Sequence, residues 1–234
     1  MNAYTLGTGF FVTRDVVLTC HHVMSPISNP HQNGDSYHLV RNVTGTVDVY
    51  EVPNVTAGVE LRLFPQADLA LLRVTNAPAN QDFAALDFGT TAEGSEIGVA
   101  GYPLPQLNVT NGVLSYGNLI YRVAKDVLTA CYTTNVETPE LPNPITVPVL
   151  EVNFLFVPGN SGGPIFKAES GAVIGFVHGF NTTKVVESLQ QVTMIPSLPL
   201  GVSPQYVDAV HALYSLGIRL DCVRPHLQQF GVSV

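Results

Sequence analysis

At 234 residues, with a net charge of −8 and only ten Lys plus Arg, the chain can bury a sizeable core but lacks the basic surface that a nucleic-acid or anionic-membrane partner would need. Charged residues make up 12% of it, and seventeen prolines and twenty glycines cut it into short pieces. That composition favours an all-β sandwich or barrel over a helical protein, and no stretch approaches the roughly 18 uncharged apolar residues of a membrane span.

The opening stretch, "MNAYTLGTGFFVTRD", has no basic start and no long apolar run ending in a small-residue cleavage site. The expectation is a folded domain that begins near Met1 and a protein of the cytoplasm. "GTGFFVTRDVVLTCHHV" reads as two strands around a turn at Arg14 and Asp15. "VTGTVDVYEV", "GVELRLFP" and "DLALLRV" continue the alternation, giving one barrel over residues 1–85. Asp82 to Gly94 is the expected linker.

"GSEIGVAGYP", "GVLSYGNLIYRVA", "VLTACYTTNV", "VLEVNFLFV", "GAVIGFVHGF" and "SLPLGVS" supply a second barrel over residues 95–202. The period then changes. Ser203 can cap a helix with Pro204 at its first position, Val207, Val210, Leu213 and Tyr214 fall on one face, and Gly217 stops it. The spacing predicts a helix over 203–217 within one domain of 1–234. Three cysteines, Cys20, Cys131 and Cys222, have no metal or redox spacing and read as free thiols. No metal and no cofactor is expected.

"VPGNSGGPIF", residues 157–166, sets Ser161 among glycines. A serine hydroxyl becomes a nucleophile when an imidazole takes its proton, and a carboxylate holds that imidazole in the right tautomer. The histidine pair of "LTCHHV" and Asp68 of "ADLALL" both lie upstream, which gives the order His, Asp, Ser. An α/β-hydrolase esterase runs Ser, acid, His and needs a helix after its serine, whereas Gly162, Gly163 and Pro164 follow here. Both counts weigh against the esterase reading, which stays the lesser alternative.

With "GTGFFV", "LTCHHV", "DLALLRV", "GNSGGPIF", "AVIGF" and "LGVSPQYVDAV" in place, the chain resembles a trypsin-like serine protease of the chymotrypsin fold, and within that family the HtrA-like protease domains. The resemblance implies two antiparallel six-stranded β-barrels with a C-terminal helix and the site in the cleft between them. It implies His22 as general base, His21 pointing elsewhere, Asp68 as orienting acid with Asp87 or Asp48 as fallbacks, and Ser161 as nucleophile. The N–H groups of Gly159 and Ser161 would form the oxyanion hole. The implied activity is hydrolysis of a protein or peptide substrate through an acyl-enzyme. The competing reading is an inactive binding or scaffold protein on the same fold.

Two departures from the family bear on regulation. Asn160 stands where secreted zymogens carry the Asp that pairs with a new amino terminus, and the residues after the expected helix are too few for the PDZ module of HtrA-like relatives, so none is expected. Constitutive activity and activation by a regulatory protein partner both remain open. "FNTTKVVESLQQVTMIPS" is a candidate lid or a plain surface insertion.

By the family's spacing, the pocket floor lies six residues before the nucleophile, at Leu155, with His178, Gly179 and Phe180 beside it. No acid stands there to hold Lys or Arg, so the expected residue on the acyl side of the cut bond is apolar and uncharged. In glutamate- and glutamine-selective relatives a histidine on this strand reads the substrate. Here the spacing from Gly175 differs by one, so His178 is expected to face Asp68 unless a strand bulge restores the register.

Overall fold

The computed structural model describes residues 7–25, 38–43, 46–51, 61–74, 77–103, 107–110, 113–116, 120–138, 141–184 and 211–234. The first half holds β1 (Phe10–Phe11), β2 (Val16–Cys20), β3 (His38–Val43), β4 (Thr46–Glu51), β5 (Leu61–Phe64) and β6 (Leu69–Arg73). Four of them form a sheet in the order β1-β2-β6-β5, and β3 with β4 forms a separate antiparallel pair. The β1–β2 turn closes on Thr13, whose hydroxyl donates to Asp15 and accepts the Val16 N–H.

Between Val16 and Cys20 every residue is buried, as is each of Leu69 to Leu72. These are continuous apolar runs because both faces of the sheet are covered. One side of that cover comes from the second half, whose Val147, Val149, Leu227 and Phe230 share the cluster with Leu18 and Leu71. Truncating a fully buried leucine here, such as Leu71, costs about 2–5 kcal/mol.

The strand expected to run through "LTCHHV" ends at Cys20, and His21–Met24 form a short helix, α1. Asp68 is the reason. Its carbonyl accepts the His21 N–H at 3.0 Å and its carboxylate accepts the His22 N–H at 3.0 Å, satisfying two of the donors a helix start leaves open. The preceding 3₁₀ turn, Pro65–Ala67, delivers Asp68 in the left-handed conformation, φ 42°.

The linker region runs along both halves. Ala84 N–H donates to Phe11, Asp87 N–H donates to Val173, and Leu86 makes a β-bridge to Val173. The second half contains β7 (Glu96–Gly101), β8 (Leu107–Thr110), β9 (Val113–Tyr116), β10 (Arg122–Val136), β11 (Ile145–Val152), β12 (Pro164–Lys167), β13 (Val173–Lys184) and β14 (His211–Arg219). Six of these close into an antiparallel barrel in the order β10-β11-β14-β13-β12-β7. Ile97, Val99, Leu128, Leu150, Val152 and Ile165 fill its interior.

The helix expected over 203–217 is corrected here. Ser203, Val207 and Val210 lie outside the described residues, but Leu213, Tyr214 and Gly217 belong to β14, which pairs with both β11 and β13. Gly217 is not a helix stop. A Cβ there would sit 2.1 Å from Ile165 Cδ1, so glycine is what lets Ile165 fill the barrel. The helix at this end is α2 (Arg224–Gln229), reached through a 3₁₀ turn, with Leu227 fully buried. Of the candidate lid, Asn181–Lys184 prolong β13 and 185–197 lie outside the described residues. Among the described residues no helix is long and apolar enough to cross a membrane.

Candidate active site

The two halves meet at the Ser161 turn. Ser161 accepts the Thr8 N–H at its carbonyl, 2.8 Å, and the Thr8 hydroxyl donates to the Gly159 carbonyl, 2.5 Å. Thr8 is held in turn by Thr19, whose hydroxyl donates to the Thr8 carbonyl at 2.6 Å. Gly162 sits where the backbones touch. Its φ is +82°, and a Cβ there would lie 2.2 Å from both Thr19 Oγ1 and the Thr8 carbonyl oxygen, so no other residue fits.

Across this seam the structure brings His22, Asp68, Ser161 and His178 together. His22 Nδ1 lies 2.9 Å from Asp68 Oδ2 and 3.1 Å from Oδ1. His178 Nδ1 lies 2.6 Å from Asp68 Oδ2. Asp68 is fully buried, which by itself would raise its carboxyl. Hydrogen bonds from His178 and His22 outweigh this and hold it well below the usual carboxylate range. An ionised carboxylate only accepts, so both imidazoles carry their proton on Nδ1. In its neutral form the His22 ring then has its lone pair on Nε2, the form a general base needs.

Ser161 Oγ donates to the His178 carbonyl at 3.3 Å. Gly159 has φ +97°, and among the described residues neither its N–H nor that of Ser161 has an acceptor. Two unengaged N–H groups two residues apart on a tight turn suit an oxyanion. Asn160 is buried and its N–H donates to Val157.

A cavity of about 280 Å³ opens beside the serine. Phe156, Val157, Pro158 and Phe180 give it apolar walls, with Glu137 at an exposed edge. His22, Ser161, His178 and Gly179 line its other side. Leu155, expected at the floor, does not line the cavity and is 49% exposed, while Phe156 is 3% exposed and does. Ser215 of β14 accepts the Phe156 N–H at 2.9 Å, which holds Phe156 at the cavity, while Leu155 stays outside it with the exposed Phe154.

His178 reaches both Asp68 and the cavity because of a β-bulge. Val177 pairs with Gly217 and Gly179 with Leu216, so His178 is the extra residue on its strand. His21 is buried away from the site with its Nδ1 unpartnered. Asp87 pairs with Lys167, and Asp48 lies on β4, on a hairpin outside the sheet that carries α1.

Sequence reasoning missed Glu137, Phe156 and Cys20. Cys20 is fully buried with its thiol on the Val177 carbonyl, 3.1 Å, and its sulfur within 4.8 Å of ligand atoms of His22 and Asp68. Burial, and after it the charge of Asp68, push this thiol well above its ordinary value. It is therefore a neutral packing group. Only the position next to "HHV" could have flagged it.

A family model described as a trypsin-like peptidase domain matches residues 7–176. No curated protein matches the chain by sequence. Among solved structures, the chain is similar to the active form of Rv3671c protease from M. tuberculosis, at 18% identity and TM-score 0.61, covering 97% of this chain and 74% of that one. It is also similar to Deg5, at 17% identity and TM-score 0.57, covering 97% and 85%. The HtrA-type protease AlgW with a decapeptide aligns at 16% identity and TM-score 0.57, covering 96% of this chain and 51% of that one.

Proposed function

We propose, for a chain that belongs to the trypsin-like peptidase family and is on that ground a serine endopeptidase, that Ser161 is the nucleophile, His22 the general base and Asp68 the orienting acid. The observation that carries this is the buried Asp68 carboxylate accepting His22 Nδ1, with His22 and Ser161 on one cavity wall. Ser161 Oγ attacks the scissile carbonyl while His22 Nε2 takes its proton. Asp68 stabilises the imidazolium that results, and the N–H groups of Gly159 and Ser161 receive the developing oxyanion. The imidazolium then protonates the leaving amine. Water, activated by the same imidazole, releases the acyl-enzyme.

The substrate is a protein or peptide. The residue on the acyl side of the cut bond is uncharged with a largely apolar body, because the cavity walls are apolar and a cation or carboxylate there loses hydration without a buried partner of opposite charge. No hydrogen bond joins Ser161 Oγ to His22; the hydroxyl rests on the His178 carbonyl and must turn before proton transfer. A regulatory protein partner that favours the turned hydroxyl would act as an activator.

A fluorophosphonate probe tests the assignment. It should label the wild type and not Ser161→Ala, with the labelled peptide containing residue 161. A wild type that resists the probe, with or without candidate activators, would return the chain to the scaffold reading.

A further inference from the structure

The turn that carries Ser161 is gripped from the first half of the chain by one residue. Thr8 is 5% exposed, its hydroxyl donates to the Gly159 carbonyl at 2.5 Å, and its N–H donates to the Ser161 carbonyl at 2.8 Å. The carbonyl between these two, that of Asn160, accepts the Gly163 N–H at 2.9 Å. Thr8 therefore takes the first and the third of three successive carbonyls. The peptide joining Gly159 to Asn160 is held at both ends, its carbonyl by Thr8 and its N–H by the Val157 carbonyl at 3.0 Å.

Thr8 is itself fixed. The Tyr102 N–H donates to its hydroxyl at 3.1 Å, which leaves the hydroxyl proton for Gly159, and the Thr19 hydroxyl donates to its carbonyl at 2.6 Å. Bonds linked in this way polarise one another.

We propose that Thr8 is a positioning residue of the peptidase: its hydroxyl and N–H clamp the turn that presents the N–H groups of Gly159 and Ser161, so that the first half of the chain sets how well the second half holds the oxyanion.

The inference rests on the proposed function above and extends it to a residue that does not line the cavity. Oxyanion donors act only if they are aimed before charge develops, and a turn built on glycine has little intrinsic stiffness to keep that aim. The clamp supplies it. Valine has the shape of threonine without the donor, so Thr8→Val keeps the packing and leaves the Gly159 carbonyl without its partner. The loss falls where the oxyanion exists, in the transition state, and should appear in kcat with KM unchanged.

The test compares Thr8→Ser, Thr8→Cys and Thr8→Val in the full chain, with Thr19→Val as the packing control. Thr19→Val removes the bond to the Thr8 carbonyl and leaves both clamping donors in place. The readouts are kcat and KM for a peptide with methionine before the cut bond, competition of the matching peptide aldehyde against fluorophosphonate labelling, and urea unfolding. Thr8→Val should lower kcat about 10–100-fold, and the aldehyde, whose adduct oxygen sits where the oxyanion forms, should lose affinity by the same factor. Thr8→Ser should stay near wild type, with Thr8→Cys between. Unchanged kcat in Thr8→Val overturns the proposal, as does a loss carried by KM or one matched by Thr19→Val at equal loss of stability. Should Thr8→Val not fold, Ser against Cys decides, since a thiol is a weak donor, and equal kcat in those two overturns the clamp. Fluorophosphonate labelling rates give the same comparison if the peptide is not cut. A wild-type serine that resists the probe means that the peptidase assignment has failed and this inference with it. A labelled wild type whose rate is matched by Thr8→Val ends the inference alone.

Discussion

The rings of His22 and His178 meet edge to face, 5.6 Å between centroids and 86° between planes, with Nδ1 of each on the carboxylate of Asp68. Asp68 therefore organises three donors, counting the His22 N–H, and its replacement has consequences beyond a lost charge. In Asp68→Asn the side-chain amide competes as a donor and His22 loses its tautomer. The turnover of a peptide substrate should fall about 10⁴-fold. Retention of more than a tenth of wild-type activity would show that Asp68 does not orient His22.

The same carboxylate makes stability depend on acid. Its folded pKa is depressed, so its contribution is fully present above the unfolded value of about 3.9 and is lost as pH falls from there toward the folded value. Thermal melts of wild type and Asp68→Asn should differ at pH 6 and converge in strong acid. Curves that stay parallel from pH 6 to 2 would contradict the assignment of the shift to Asp68.

The two adjacent histidines separate by function. His22→Ala should abolish hydrolysis and leave about 10³–10⁴-fold acceleration over water from the remaining groups. His21→Ala should keep activity and cost stability, since deleting its buried ring leaves a cavity in the packing and touches no group at the serine. Peptide hydrolysis and urea unfolding measured on both proteins give the comparison, and a dead His21→Ala that is still folded would reverse the choice.

Gly162→Ala should destabilise the protein by about 1–3 kcal/mol through overpacking and reduce fluorophosphonate labelling, because its methyl would meet Thr19 and Thr8 at 2.2 Å at a φ of +82°. Ala at the open turn position Gly171, φ +73° with nothing within 4 Å, serves as the control for backbone strain without a clash. Comparable losses at both sites would mean that the close approach at the seam carries no extra cost.

Dialysis against a chelator should leave peptide hydrolysis unchanged. Cys20, His22 and Asp68 come within 4.8 Å of one another, but the thiol is held protonated by burial and the two imidazoles already use their Nδ1 positions on Asp68. Activity restored only by added metal would refute a purely triad-based mechanism.

Strands were legible wherever one local signal sufficed. The continuous apolar run in "DLALLRV" and the alternation in "GVELRLFP" mark β6 and β5, and Thr13 to Asp15 mark the first turn. The segment ending at Gly217 misled because Val207, Val210, Leu213 and Tyr214 fit a helical face. What decides for a strand lies elsewhere in the chain, in the open sides of β11 and β13 and the bulk of Ile165. The candidate site divides in the same way. His22, Asp68 and Ser161 stand in short punctuated motifs, whereas Glu137 and Phe156 reach the cavity through barrel register and a bond to Ser215. Counting back from Ser161 to Leu155 could not register that bond.

β14 should also time the appearance of fluorophosphonate reactivity during synthesis. It seals the barrel by pairing with β11 on one side and β13 on the other, and β13 brings both the His178 ring to Asp68 and the His178 carbonyl to Ser161 Oγ. A nascent chain that already displays His22, Asp68 and Ser161 but has not yet released residues 211–219 from the ribosome therefore has an open barrel and an unsupported serine. Cotranslational folding proceeds in whole units, and here the unit includes the last strand. Ribosome-arrested chains ending before His211 should stay dark to a fluorophosphonate, while those with Arg219 well clear of the exit should light up.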